Sequence, residues 1–155
     1  MSLLLQALSW NYVLVTALIS SILSQMIKVL LHLIIVGKFI PERMWGAGGM
    51  PSAHSATVCA MVVATGRYCG THSTLFAIAL IVSIIVMYDA MGVRRETGEQ
   101  AKVLNHLLNE WIDQESEILP FLGHKRLKEM VGHTPIQVLT GAVFGAAIGF
   151  AMPMV

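Results

Sequence analysis

Charged residues are scarce in this sequence, and their scarcity restricts the class of protein. Asp, Glu, Lys and Arg make up 12% of the 155 residues, whereas a typical soluble domain contains about 25%. Hydrophobic residues make up 55% of the chain. Because so few charges cannot cover the surface of a soluble fold, we expect one integral membrane domain that comprises residues 1–155.

A basic surface and a set of metal ligands are also missing. The formal net charge is only +1, and no basic stripe with interleaved aromatic residues is present, which argues against a nucleic-acid partner. Cys59 and Cys69 are the two cysteines, and their spacing is neither a CxxC motif nor typical of metal ligands. We interpret both cysteines as packing residues and expect no metal site.

What the sequence does contain is a series of long hydrophobic segments. We assign four of them, at residues 10–36, 53–69, 74–92 and 135–155. About 20 helical residues suffice to cross a bilayer, so segment 53–69 is short for a full crossing. The polar region 94–132 begins with a pattern typical of an amphipathic helix on a membrane surface. The predicted fold is therefore an all-α polytopic membrane bundle with about four hydrophobic segments and one interfacial amphipathic helix.

The first hydrophobic segment carries a polar stripe. Its members recur at helical spacing and so share one face: Ser21, Gln25, Lys28 and His32. A lysine inside a span is costly unless it faces protein, water or an anion. Lys28 is therefore a candidate anion ligand, and the alternative is a lysine whose ammonium group extends to the membrane surface.

Two short polar stretches each place a histidine where a helix is about to begin. His54 lies in the stretch GGMPSAHS at residues 48–55, and His133 lies in GHTPIQV at residues 132–138. The start of a helix presents unpaired backbone N–H groups and the positive end of the helix dipole, which together attract anions. Two such ends could bind one phosphate. The alternative for each stretch is a well-capped helix with an incidental histidine.

The number of membrane crossings decides whether the two histidines can meet. If all four segments cross, the loop before Pro51 and the region 94–132 lie on the same side. If segment 53–69 re-enters without crossing, the histidines separate. All basic residues outside the spans except Arg67 would share that side, namely Lys38, Arg43, Arg94, Arg95, Lys102, Lys125, Arg126 and Lys128. This bias predicts a site that faces the cytoplasm, in the cytoplasmic membrane of a bacterium.

These motifs resemble those of a known superfamily. The sequence PSAH at residues 51–54 is similar to the Pro-Ser-Gly-His motif of the type 2 phosphatidic acid phosphatase and vanadium-dependent haloperoxidase superfamily. The sequence HTPIQVLTG at residues 133–141 resembles its His-x3-Asp helix with the downstream glycine. With YDAMGVRR at residues 88–95 and GEQA at residues 98–101, nearly the whole chain is similar to a small divergent membrane branch of that superfamily.

The resemblance implies a membrane phosphatase that acts on a lipid or isoprenoid phosphate. His133 would be the nucleophile that attacks phosphorus and forms a phosphohistidine, and His54 would protonate the leaving oxygen. Ser52 and nearby backbone amides would hold phosphate oxygens. The resemblance implies neither a metal nor another cofactor for this chemistry.

Phosphoryl transfer also needs cations that neutralise developing negative charge. The candidates are Lys28, Arg43, Arg94 and Lys128. Lys28 resembles the lysine of the first superfamily motif, Lys-x6-Arg-Pro, but Ile35 stands where the arginine is expected. Leu127 stands at the arginine position of the third motif, between Arg126 and Lys128.

Gln137 stands where the superfamily has an aspartate that orients and compensates the nucleophilic histidine. Loss of the analogous carboxylate in a serine-protease triad costs roughly 10⁴ in rate. Asp89 is a candidate for that role, and the alternative is that it caps a helix end or forms an ion pair there with Arg94 or Arg95.

Three functions therefore stay open. The first is the phosphatase, and the second is a non-catalytic member of the fold that binds a phosphorylated lipid or assists membrane assembly. The third is a small transporter. Gly141, Gly145 and Gly149 form a small-xxx-small ridge that favours close helix packing and leaves a homo-oligomer open. The expected partners are the bilayer and a lipid or isoprenoid phosphate.

Overall fold

The computed structural model describes residues 6, 9–37, 49–114, 127–129 and 131–154, with the backbone only for residues 110–114. Within these residues every regular element is a helix, in agreement with the predicted all-α class. The helices are α1 (Tyr12–Val36), α2 (Ala53–Cys69), α3 (Thr74–Met91), α4 (Val93–Gln114) and α5 (Pro135–Ala151). The predicted hydrophobic segments coincide with α1, α2, α3 and α5, and the start of the polar region forms α4.

Local sequence chemistry sets several of the helix ends. The side chain of Asn11 accepts a hydrogen bond of 3.0 Å from the backbone N–H of Leu14 at the start of α1. The hydroxyl of Ser73 accepts one of 3.2 Å from the N–H of Phe76 at the start of α3. These bonds satisfy N–H groups that the first turn of a helix leaves unpaired. α1 ends at Gly37, whose φ of 70° is left-handed and suits glycine.

The short helix α2 lies at the centre of the bundle, packed against α1, α3 and α5. Its alanines at every fourth position, Ala56, Ala60 and Ala64, are all 0% exposed. Small side chains at this spacing let neighbouring helix backbones come close. The hydroxyl of Ser20 in α1 donates a hydrogen bond of 3.0 Å to the carbonyl oxygen of Ala56, which joins α1 to α2.

The glycine ridge of α5 faces α2. A Cβ atom at Gly141 would come within 3.0 Å of the carbonyl oxygen of Ser52, and one at Gly145 would come within 3.0 Å of that of Ala56. The predicted use of the ridge for close helix packing is confirmed, and the partner helix belongs to the same chain. A homo-oligomer stays a prediction.

Arg67 fixes the far end of this helix pair. Its Nη1 lies 2.7 Å from the carbonyl oxygen of Gly149 and 2.8 Å from that of Met152, at the end of α5. The same atom donates a hydrogen bond of 2.9 Å to the hydroxyl of Tyr12, at the start of α1. Since Arg67 is near the end of α2, the helices α2 and α5 run parallel, and their N-termini lie together at the opposite end of the bundle.

The exposed faces of α1, α3 and α5 carry many large apolar side chains. Among the residues that the structure describes, two helical stretches could cross a membrane by length and composition alone, Tyr12–Val36 and Thr74–Asn109, and only 17% of each apolar window is buried. Core helices of a soluble protein would be mostly buried. α5 is apolar but has 17 residues, about 25 Å against the roughly 30 Å of a hydrocarbon core. The predicted count of four crossing segments is therefore not confirmed on these criteria.

Candidate active site

His54 and His133 meet at the end of the bundle where α2 and α5 begin. Their ring centroids are 6.3 Å apart, and the ring planes are inclined by 64°. His54 lies in the first turn of α2, and His133 lies two residues before α5. Because these helices run parallel, residues near their N-termini are brought together. The two histidines therefore lie at the same end of the bundle, and the expectation that they share one ligand stays a prediction.

His133 is held by its backbone as well as by its side chain. Its N–H donates a hydrogen bond of 3.0 Å to the carbonyl oxygen of Ala90 near the end of α3. The residue is only 3% exposed. Nδ1 of its ring lies 3.1 Å from Oε1 of Gln137, one helical turn further on. The nucleophile that the resemblance implies is therefore fixed to both α3 and α5.

The orientation of the Gln137 amide decides which nitrogen of His133 carries the proton. The backbone N–H of Thr134 donates a hydrogen bond of 3.2 Å to Oε1 of Gln137. A backbone N–H can donate only to an acceptor, so the amide oxygen and not the NH₂ group occupies this position. Nδ1 of His133 must then be the donor to the same oxygen. In the neutral ring, Nε2 is left with the free lone pair that a nucleophile needs.

Burial lowers the pKa of His133 below its ordinary value. The hydrogen bond to Gln137 acts in the opposite direction, whereas the positive charges of Lys28 and Arg94 lower the pKa further. A buried imidazole with cations around it resists protonation. The environment therefore keeps His133 neutral, which is the protonation state in which it can attack an electrophile.

A small cavity lies beside the two rings. Its lining residues come from α2, α3, α4 and the segment before α5: His54, Val86, Asp89, Ala90, Arg94, Val131 and His133. The polar groups among them are the two histidines, one carboxylate and one guanidinium. The cavity thus combines a cation with two imidazoles, as binding of an anionic group requires.

Asp89 forms an ion pair with Arg94 at this cavity, between Oδ2 and Nε. The position beside Nδ1 of His133 is taken by Gln137, so Asp89 does not orient that ring directly. The structure shows the pairing with Arg94 that the sequence left open as the alternative. Both side chains are partly exposed, at 38% for Asp89 and 50% for Arg94, so each stays within reach of a ligand.

Lys28 is buried against the first histidine motif. Its residue exposure is 5%, and a Cβ atom at Gly49 would lie 3.3 Å from Cγ and from Cδ of the lysine. With a φ of 85°, Gly49 has a backbone conformation that favours glycine, and the lysine stem packs along it. The lysine is therefore not extended to the surface, and its charge is close enough to influence His133.

Three other predicted phosphate ligands are placed differently. Ser52 is 0% exposed and caps α2, where its hydroxyl accepts hydrogen bonds from the backbone and the hydroxyl of Ser55. Within the described part of the chain, Ser52 is not among the residues that line the cavity. Lys128 is exposed and does not line it either. Arg43 lies outside the described residues. The roles of these three residues stay predictions.

The sequence interpretation did not include the apolar wall of the cavity. Val86 and Ala90 lie one turn apart on α3, and Val131 lies two residues before His133. The spacing of Val86 three residues before Asp89 places both on one side of α3. That spacing was the available signal, because residues that share a helix face with a polar site residue tend to line the same cavity.

This fold and this pair of histidine motifs define a member of a known membrane family. The chain belongs to the divergent PAP2 family, whose sequence profile matches residues 9–148 and so includes both motifs. A similar protein is the "Uncharacterized membrane protein YuiD" of Bacillus subtilis (strain 168), which is 39% identical in a 142-residue alignment; the match covers 87% of this chain and 89% of the relative. No solved structure matches the chain. The resemblance to a divergent PAP2-related branch is thus supported.

Proposed function

We propose that this protein is a membrane phosphatase that hydrolyses a lipid or isoprenoid phosphate through a phosphohistidine. The observation that carries the proposal is the 6.3 Å separation of the His54 and His133 rings beside Arg94. One phosphoryl group needs the attacking nitrogen about 3–3.5 Å from phosphorus on one side. It needs a hydrogen bond of about 2.6–3.2 Å to the leaving oxygen on the other. Two rings at the observed separation can meet both requirements.

The reaction has two steps. Nε2 of His133 attacks phosphorus with its lone pair, the ester P–O bond breaks, and the leaving oxygen takes a proton from the protonated ring of His54, which becomes neutral. A water molecule then attacks the phosphohistidine and gives its proton to His54, which releases inorganic phosphate and restores both rings. Overall, one phosphate ester and one water give one alcohol and one phosphate.

The other residues of the site support these steps by charge and by orientation. Arg94 lines the cavity and can neutralise charge on the phosphoryl oxygens. Lys28 adds a buried positive charge nearby. Gln137 keeps Nε2 of His133 free of a proton, through the hydrogen bond to Nδ1.

The apolar exterior of the bundle supports a substrate with a hydrocarbon tail. The cavity lies at one end of α2 and α5, and the exposed surface of α1 beside this end is apolar, as at Met26 and Leu30. A phosphate at the headgroup level could enter the cavity while its tail remains in the hydrocarbon. We further propose that all four hydrophobic segments cross the bilayer and that the site faces the cytoplasm, as the distribution of basic residues indicates.

A phosphate-release assay tests the proposal. The purified protein in lipid nanodiscs is given a diacylglycerol phosphate, a long-chain isoprenyl phosphate and an isoprenyl diphosphate. We expect His133→Ala to abolish turnover of the accepted substrate, and His54→Ala to lower it about 10²–10⁴-fold. The matched control is His72→Ala, an exposed histidine between α2 and α3, which should leave the rate unchanged. Full turnover by His133→Ala would refute the mechanism.

Trapping of the intermediate gives a second test. In His54→Ala, an aryl phosphate with a good leaving group needs no proton for the first step, whereas the second step lacks its base. We therefore expect a phosphoryl group on His133 that is labile in acid and stable in alkali. Its absence from both the parent protein and this variant would contradict a covalent intermediate.

A second candidate function is binding of a phosphorylated lipid without turnover. It is favoured by one observation, the neutral Gln137 at the position beside Nδ1 of His133. A neutral amide orients the ring but does not stabilise the positive charge that develops on it during attack. Saturable binding of a diacylglycerol phosphate, with no turnover of any of the three substrates, would favour this function over the phosphatase.

A further inference from the structure

The segment that leads into His133 is not helical and lies along α4. Residues 127–129 and 131–134 have no regular secondary structure. Three residues on one face of α4 are buried: Gly98, Ala101 and Asn105. Their spacing of three and four residues is that of a single helix face. Leu127 and Glu129 of the segment contact this buried face of α4, at Asn105 and Gly98.

Asn105 holds the far end of the segment with three hydrogen bonds. Its Nδ2 donates to the carbonyl oxygen of Leu127 at 2.9 Å and to Oε1 of Glu129 at 2.8 Å. Its Oδ1 accepts from the backbone N–H of Leu127 at 2.9 Å. The amide thus pairs with both backbone groups of Leu127, as a neighbouring strand would. Asn105 itself is 6% exposed, so water competes less with these bonds than with those of an exposed side chain.

Two glycines let the rest of the segment approach α4 closely. A Cβ atom at Gly98 would lie 2.5 Å from the carbonyl oxygen of Glu129, a separation that real Cβ atoms do not show. A Cβ atom at Gly132 would likewise come within 3.0 Å of the backbone of Arg95. The segment is therefore in contact with α4 near Asn105, at Gly98 and at Arg95. The last of these contacts joins Gly132, which precedes His133, to Arg95, which follows Arg94.

Helix α4 carries one residue of the candidate site, Arg94, and contacts the segment that leads to another, His133. Arg94, which lines the cavity, lies in the first turn of α4. His133 follows the segment that α4 holds, and its N–H is bonded to Ala90 of α3. If the segment moves along α4, His133 moves relative to Arg94 and to His54. Asn105 itself is 11 residues from Arg94 along α4, about 16 Å at the helical rise, so it does not contact a bound phosphoryl group.

We propose that Asn105 is a positioning residue for His133, which acts through residues 127–129 and 131–132. It holds the nucleophilic ring at the distance from Arg94 and His54 that phosphoryl transfer requires. This inference rests on the proposed phosphatase function. A misplacement of a reacting group by about 1 Å can cost about 10²-fold in rate. Binding of the phosphate by Arg94 and Lys28 depends less on the position of His133, so turnover should fall more than affinity.

The test compares Asn105→Ala with the matched control Asn109→Ala. Asn109 lies one turn further along α4 and is exposed. We expect Asn105→Ala to lower kcat between about 10-fold and 100-fold, with KM changed less than about twofold, and Asn109→Ala to resemble the parent protein. Equal kcat values in the two variants would overturn the inference, and so would a change in KM alone.

Restoration of the hydrogen bonds distinguishes positioning from general damage. Asn105→Asp loses the donor to Leu127 and to Glu129 and brings two carboxylates together. Combination with Glu129→Gln supplies a donor from the other side. We expect the double variant to recover a substantial part of the kcat that Asn105→Asp loses, whereas Glu129→Gln alone should have little effect. No recovery in the double variant would contradict the proposed role.

Two further measurements keep the inference testable if a variant folds poorly or if no substrate is found. Gly98→Ala favours the helical conformation of α4, so a lower kcat in this variant would come from displacement of Glu129. Gln100→Ala, at an exposed position, is its control. Hydrogen exchange at the His133 amide requires no turnover. We expect faster exchange in Asn105→Ala than in Asn109→Ala. Equal exchange would overturn the inference, whereas a parent protein without turnover but with this difference would refute only the phosphatase.

Discussion

Oε1 of Gln137 lies 3.1 Å from Nδ1 of His133, at the position where the wider superfamily resemblance implies a carboxylate. The backbone N–H of Thr134 donates to the same oxygen at 3.2 Å. The first turn of α5 therefore fixes the amide, and the amide fixes the tautomer of the histidine. Gln137 retains the orienting role of the missing carboxylate and lacks its charge.

Restoring that charge should raise activity. Gln137→Glu keeps the length of the side chain and its hydrogen bond to Thr134, and it adds a negative charge that stabilises the positive ring during attack. We expect kcat for the accepted substrate to rise by about 10-fold or more. The negative charge in the first turn of α5 should also stabilise the helix by about 0.3–1 kcal/mol. Gln100→Glu, at an exposed position of α4, is the control and should change neither property; a lower kcat in Gln137→Glu would contradict the assignment.

The pH dependence of turnover should report the environment of His133. Burial and nearby cations lower the pKa of His133, and only the neutral ring attacks phosphorus. As pH falls through this lowered pKa, kcat/KM should decline, with the midpoint below the ordinary histidine value of about 6.5. A carboxylate beside Nδ1 favours the protonated ring, so in Gln137→Glu the acid limb should move to higher pH. An acid limb above that ordinary value in the parent protein, or no shift in the variant, would contradict this account.

Asp89 should weaken the binding of anions by its ion pair with Arg94. In Asp89→Asn, Arg94 no longer shares its charge with a carboxylate, and a carboxylate that repels phosphate is removed from the cavity. We expect the Kd for inorganic phosphate, measured by calorimetry, to fall several-fold, in keeping with the roughly 0–1 kcal/mol of an exposed ion pair. Glu99→Gln removes a similar exposed pair, with Lys102, and should have no effect. Weaker phosphate binding by Asp89→Asn would show that the carboxylate assists the site.

The close packing of α5 on α2 should make Gly145 intolerant of a side chain. The Cβ atom of Gly145→Ala would overlap with backbone atoms of Ala56, so one helix must shift. We expect a lower thermal midpoint in detergent, equivalent to about 1–3 kcal/mol, although alanine favours the helix. Gly66→Ala is the control, because its Cβ would meet side chains and not backbone, namely the ring of Phe76 at 3.1 Å and Cγ2 of Thr71 at 3.7 Å. An unchanged midpoint in Gly145→Ala would contradict the tight contact.

Thiol labelling tests the sidedness of the proposed topology. Cys69 is exposed at the end of α2 opposite the histidines, whereas Cys59 is partly buried. A membrane-impermeant maleimide should therefore modify the parent protein in intact cells at Cys69. With Cys69→Ser and an added Lys128→Cys on the side of the site, labelling should require permeabilised cells. The reverse pattern would place the site on the outer side of the membrane.

The sequence by itself determined the properties that depend on neighbouring residues. Hydrophobic segments, helix caps and the small-xxx-small ridge of α5 are local patterns, and the structure has helices and a close contact where these patterns predict them. The meeting of His54 and His133 was also predicted from the sequence, because two crossings between the two helix starts, an even number, would return the chain to the same side. Counting crossings requires no knowledge of interatomic distances.

Only the tertiary structure decided which partner each polar side chain takes. Gln137 and not Asp89 lies beside the ring of His133, Asp89 is paired with Arg94, and Asn105 holds a segment more than 20 residues away in sequence. The spacing of residues within one helix fixes which of them share a face, but it does not fix how closely two helices approach or how they are rotated. Hydrogen bonds form only within a few tenths of an ångström of their optimal length, so the choice among candidate partners depends on the packing of the whole bundle.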